Sequence, residues 1–207
     1  MATSQFDSEL LQAVDRGDGN SIKDLLSKGA SPNIILPNGR PLLNEMIFSA
    51  TDDIIELIIS SGANILLKDK SGMAALDCAL SSQNIALLTR LIEKGADVNN
   101  IYTNGLGTLA IAISLGNCEI VELLLKKGAN SNAVYSQPID PQMKEFLKTM
   151  LKENKFKHPE KGMTLQMDEE SAKSIVSGKV TSIKHTPLSL AKNNPTMVIL
   201  LKKYGAK

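Results

Sequence analysis

GTLAIAISLGNCEIVELLLKKGA, residues 107–129, reads as a pair of short helices closed by Lys-Lys-Gly-Ala. In its second half Ile120, Val121, Leu123, Leu124 and Leu125 cover a broad apolar face at helical spacing. Glu119, Glu122, Lys126 and Lys127 are left for solvent. The two lysines fall in the last turn, where they complement the negative end of the helix, and Gly128 permits a left-handed cap just beyond it. The same ending recurs. Gly29, Gly62, Gly95 and Gly128 stand 33 residues apart, each followed by alanine, and a second set, Gly39, Gly72 and Gly105, keeps that interval ten residues downstream. Self-similarity at this period marks a solenoid, in which each unit buries its apolar face only against its neighbours.

Aligned on these glycines, the units run Ser8–Gly29, Pro41–Gly62, Ala74–Gly95 and Gly107–Gly128, each a helix pair followed by an extended arm. The arms lead to turns at the second glycine set, where glycine supplies the positive φ. The period and the order of elements resemble the ankyrin repeat, whose signature Thr-Pro-Leu-His-x-Ala opens the first helix. The last unit carries Thr186-Pro187-Leu188-Ser189-Leu190-Ala191, and looser versions begin at Pro41, Ala74 and Gly107. The resemblance covers about three quarters of the chain. It implies an all-α solenoid of stacked helix pairs with short hairpin arms, five repeats in all, the last interrupted by a helical insert. Asn44, Asp77, Ala110 and Ser189 replace the signature histidine, so the polar ties between neighbouring units are expected to be weakened or altered.

We read a single domain over residues 1–207, with repeats at about 5–36, 37–69, 70–102, 103–135 and 186–207 and an insert at about 136–185. Acidic and basic residues around Leu10, Leu11 and Val14 suit the first unit to be an N-terminal cap. The insert emerges at a turn tip, beside the face that repeat proteins commonly use for binding. Asp140 can cap a helix with Pro141 at its first position, and Met143, Phe146, Leu147, Met150 and Leu151 follow at helical spacing. Lys144, Lys148 and Lys152 form a row we read as solvated. A second helix is expected after Asp168, ending at Gly178, with a loop over Phe156–Gly162 between the two. The apolar stripe of the first insert helix is read as packing on the concave side or end of the stack, with docking to a partner as the alternative.

Composition bounds the function. With 43% hydrophobic and 3% aromatic residues, the core must be built from Leu, Ile, Ala and Val. A net charge of +1 gives no overall field that would gather nucleic acid or anionic membrane. No stretch approaches the roughly 18 apolar residues of a membrane span, and the first residues lack the pattern of a secretory signal. A cytoplasmic location is expected. Cys78 and Cys118 show no zinc or disulfide spacing and read as small buried hydrophobes. His158 and His185 assemble no catalytic triad, metal set or phosphate loop, so we expect no enzyme, no cofactor and no metal.

A protein partner, bound by a chain that is a monomer in isolation, is the expected function. The candidate contacts lie on the arm tips and on the groove behind them: Arg40, Leu67, Lys68, Lys70, Ile101, Tyr102 and Asn104, then Phe48 and Leu115. Met143, Phe146, Leu147 and Met150 of the insert complete the set. Aromatic and arginine anchors carry most interface energy, which singles out Phe48, Tyr102 and Arg40; coverage by the insert is the competing reading for Tyr102 and Leu115. By the same resemblance, two alternatives stand beside a resident adaptor. One is a bacterial effector acting on a host protein, with which a composition rich in Lys, Ile and Asn is compatible; the other is a regulator that occludes an enzyme's active site.

Overall fold

A computed structural model describes residues 5–153 and 168–207. Five helix pairs stack in chain order. They are α1 (Gln5–Asp15) with α2 (Gly19–Ser27), α3 (Leu42–Ser49) with α4 (Asp52–Ser60), α5 (Ala75–Ser81) with α6 (Ile85–Glu93), α7 (Thr108–Leu115) with α8 (Cys118–Lys126), and, beyond the insert, α11 (Pro187–Ala191) with α12 (Pro195–Lys203). Each second helix starts where a short polar side chain can accept from the orphan N–H groups of the first turn. Asp18, Asn84 and Asn117 do so for α2, α6 and α8, at the 33-residue interval. Thr51 holds that place in the second unit without accepting from the helix's backbone N–H groups; its hydroxyl donates instead to the Asp53 carboxylate. The other end of each helix closes on glycine in the left-handed region, as at Gly128 with φ 93°.

One continuous core runs through all five pairs, from Leu10 through Ile58, Leu88 and Leu124 to Leu201. No unit could bury these side chains alone, which is why the interval is a property of the stack.

A second tie runs along the arms. Asn33 donates its amide to the Gly62 carbonyl at 3.2 Å and accepts from Asn64 N–H at 2.7 Å. Asn99 repeats the pair on Gly128 and Asn130, and Asn132 on Gly205 and Lys207. Each asparagine thus clamps the end of the next unit's second helix. The matching position between the second and third units is Leu66, which has no such groups and is 50% exposed. Leu66→Asn is therefore expected to stabilise the array by about 1 kcal/mol, the usual net worth of one or two hydrogen bonds made without new burial. Urea denaturation followed by circular dichroism measures it; a midpoint that falls would show that Leu66 is favoured by its neighbours Ile65 and Leu76.

Counted by the unit it leads into, the fifth arm is lengthened rather than broken. Strand β1 (Tyr135–Pro138) pairs antiparallel with β2 (Ser182–His185), Tyr135 opposite His185 and Pro138 opposite Ser182. Helices α9 (Pro141–Lys152) and α10 (Glu169–Val176) continue from that stem, capped by Asp140 and Asp168 as their sequences require. The expected loop Phe156–Gly162 lies outside the described residues. After β2 the stack resumes with α11 (Pro187–Ala191) and α12 (Pro195–Lys203), the first opened by a capping box between Thr186 and Ser189.

One expectation is corrected here. Leu147 and Leu151 of α9 pack with Ala172, Ile175 and Val176 of α10 in a cluster separate from the stack's core. Because both helices leave adjacent, antiparallel strands, the nearest apolar surface for α9 is α10, and the stripe closes locally rather than on the concave side.

Candidate functional site

The first helices and the arm tips face each other across a groove. Where units one and two meet, it holds a cleft of about 460 Å³ with Val14, Leu36 and Met46 on its walls and Asp15 and Glu45 among its polar groups. Where units three and four meet, Met73, Tyr102 and Ile111 line a smaller cleft of about 230 Å³.

Phe48 and Arg40 form the most organised point on this face. Phe48 stands on α3 with 46% of its surface exposed. Glu45, one turn earlier, accepts from the Arg40 guanidinium at 3.2 Å and from the Asn38 amide at 3.3 Å. That grip sets the guanidinium 5.5 Å from the centre of the Phe48 ring, within cation–π range. An apolar ring and a fixed cation are held together before any partner arrives.

The remaining candidates divide. Ile101 at 51% and Leu115 at 42% are exposed. Lys68, Lys70 and Asn104 are exposed too, but Lys70 lies over Gly39 of the preceding arm and Asn104 accepts from Leu106 N–H within its own turn. Leu67 is half-buried. In the insert Met143 and Phe146 are exposed at 42% and 52%, whereas Leu147 and Met150 are buried. Their side of α9 faces inward, as a packed stripe would, so these two are not presented as candidate contacts. Cys78 is buried, Cys118 half-buried.

Tyr102 also differs from the expected exposed anchor. Only 8% of it is accessible, because its hydroxyl donates to Asp77 at 2.7 Å. Asp77 is itself buried and accepts three more bonds, from the Asn100 amide at 2.6 Å, the Thr108 hydroxyl at 2.8 Å and the Ala74 N–H at 2.9 Å. Burial and the adjacent Asp77 carboxylate raise the Tyr102 phenol well above its ordinary range. Burial, then the Asp77 and Asp69 carboxylates, push the neighbouring Cys78 thiol up to about 12, so it stays protonated and unreactive at neutral pH. This network joins units three and four across the position of the family histidine. Asn44, the equivalent in unit two, donates to the Met73 carbonyl at 3.0 Å and joins units two and three. The ties are altered rather than weakened at these two joints, while Ala110 offers none of this kind. Sequence reading marked both substitutions; it had no way to see their distant partners.

Among the described residues no group of His, Cys, Asp and Glu could hold a metal ion, and no helix is long and apolar enough to cross a membrane. The Ser189 hydroxyl is bound to Thr186 in the helix cap; His158 lies outside the described residues.

Comparison with known families agrees with this architecture. A model described as ankyrin repeats in three copies matches residues 10–102, and a single ankyrin repeat matches residues 105–135. No curated protein matches the chain. With the matched segments spanning more than half of the chain and the helix pairs stacked at the matching interval, the chain belongs to the ankyrin repeat family.

Proposed function

We propose that the protein is a non-catalytic adaptor that grips another protein in the groove between its arm tips and first helices, with Phe48 and Arg40 as the principal anchor. Ankyrin repeats generally mediate protein–protein interaction. The observation that carries the reading is the exposed Phe48 ring with its guanidinium already fixed by Glu45. A rigid anchor loses little side-chain entropy on docking, so a few such groups can dominate the affinity. The adjoining cleft, with apolar walls and the carboxylates of Asp15 and Glu45, suits an apolar partner segment carrying a basic residue.

The test compares proteins captured by the immobilised chain and by its Phe48→Ala and Arg40→Ala variants, with quantification by mass spectrometry. A partner of the groove is expected to fall at least about tenfold on Phe48→Ala, with the thermal midpoint unchanged. If the folded Phe48→Ala chain retains every captured protein at full yield, the groove is not the binding face. A partner enzyme whose turnover falls on binding would mark the occluding regulator, and a translocation reporter fused to the chain would mark the effector.

A further inference from the structure

The third and fourth arms are tied by a backbone hydrogen bond along the stack. Thr103 of the fourth arm donates its N–H to the Ser71 carbonyl of the third at 3.0 Å. In the same sense, Gly105 on the second strand of the fourth arm lies against Ser136 of β1. At these two joints an arm turns its later edge to the first strand of the arm that follows. β2 is the later edge of the fifth arm.

The register fixes which groups β2 offers. Ile139 N–H donates to the Thr181 carbonyl at 3.2 Å, so bonded pairs alternate from there as Gln137 with Ile183 and Tyr135 with His185. Ser182 and Lys184 consequently turn their backbone N–H and C=O away from β1. Among the described residues neither group has a hydrogen-bond partner on that side. Beside this edge is a cleft of about 400 Å³ between α10 and β2, with Ile175, Val180 and Ile183 as its apolar lining. Val180 is 39% exposed. The edge is thus open, flanked by an apolar channel, and placed like the later edges that the third and fourth arms turn to their successors.

Charge selects the occupant. After Glu170 the chain carries seven lysines and no aspartate or glutamate. Lys173 is paired with Glu169 and Lys203 with Glu122. Lys179 and Lys184, on either side of the edge, pair with no carboxylate among the described residues. Glu170 also borders the cleft, on the first turn of α10.

We infer that β2 and α10 form a second docking surface, where an extended acidic segment of a partner protein adds as a third strand on Ser182–Lys184. Alternate apolar residues of that segment fill the Ile175–Val180–Ile183 channel, and its carboxylates meet Lys179 and Lys184. Strand addition draws affinity from main-chain bonds and specificity from alternate side chains. The surface is separate from the Phe48 groove, and either can fail without the other.

The experiment uses the full chain, labelled with nitrogen-15, and a short peptide alternating valine with glutamate. Binding is expected to move the Ser182 and Lys184 amide resonances and to weaken as salt is raised. Lys184→Pro removes an outward N–H while leaving the bonds to β1 in place, and is expected to weaken binding at least about tenfold, the equivalent of a lost hydrogen bond plus a lost charge. Lys184→Ala keeps the N–H and should cost only about two- to fivefold. Methylating alternate peptide nitrogens tests the same bonds with the protein unaltered, and should abolish binding even if Lys184→Pro fails to fold. Absence of binding, equal binding of a valine–lysine peptide, or equal binding of the methylated peptide overturns the inference. So does self-association of the free chain that Lys184→Pro abolishes, which would make a second copy the occupant.

Discussion

Asp77→Ala is expected to destabilise the protein by about 3–5 kcal/mol, the range found when a buried, multiply bonded polar group is removed from donors that cannot reach water. Four donors point at this one carboxylate, and each is buried or nearly so. Without it, the Tyr102 hydroxyl loses its acceptor, the Thr108 hydroxyl keeps only the Asn100 carbonyl, at 3.5 Å, and the Asn100 amide keeps only the Gly72 carbonyl, at 2.9 Å. Asp77→Asn should cost less: its Oδ1 can accept from the Ala74 N–H and the Asn100 amide, while its NH₂ faces the Tyr102 and Thr108 hydroxyls, which can accept as well as donate. At roughly 2–4 °C per kcal/mol for a chain of this size, the thermal midpoint of Asp77→Ala falls by about 10 °C. Because the network joins two units, the transition should also broaden as the halves of the stack separate. Asp97→Ala is the control: that carboxylate is exposed and accepts from Asn99 N–H within its own turn. Calorimetry that finds the two variants equal would show that the Asp77 network adds nothing to stability.

Gly105→Ala comes next, and its effect is best read beside Gly39→Ala. Both glycines sit at the same place in their repeats with φ near +80°, at 80° and 84°, so both substitutions carry the left-handed penalty of about 1 kcal/mol. They differ in what the new methyl group meets. At Gly39 it meets the Lys70 side chain, 2.7 Å from Cε, and a lysine stem swings aside at little cost. At Gly105 it meets the backbone oxygen of Ser136 at 2.0 Å, and backbone can yield only if the fifth arm moves away. Gly39→Ala should therefore cost about 1 kcal/mol and Gly105→Ala about 3 kcal/mol or more. Hydrogen exchange localises the damage: protection of Tyr135–Pro138 and Ser182–His185 is expected to fall in Gly105→Ala alone. Equal losses in the two variants would mean that the fourth and fifth arms do not pack closely.

These two positions also show how far sequence reading reached. The glycine interval identified the units and their ends, since a helix cap, a turn and an apolar stripe are each written within a few neighbouring residues. Residues 141–154 and 168–178 read as helices for the same reason, and α9 and α10 form there, α9 ending at Lys152. The exposed candidates Phe48, Ile101 and Leu115, and the half-buried Arg40, were legible from their place in the repeat. Tyr102 was not, because the acceptor that draws it inward is 25 positions earlier in the chain. The asparagine clamp was present in the sequence as Asn33, Asn99 and Asn132, and aligning the arms residue by residue would have found it.

Local chemistry thus settled what repeats and where each unit begins and ends, for those choices depend on spacing along a single turn or arm. Which polar groups meet across unit boundaries, which face of α9 is covered, and which strand edge stays open were decided only by the stack. The reason is that these contacts join residues a whole repeat or more apart, and a side chain's surroundings there depend on three-dimensional placement that no short pattern encodes.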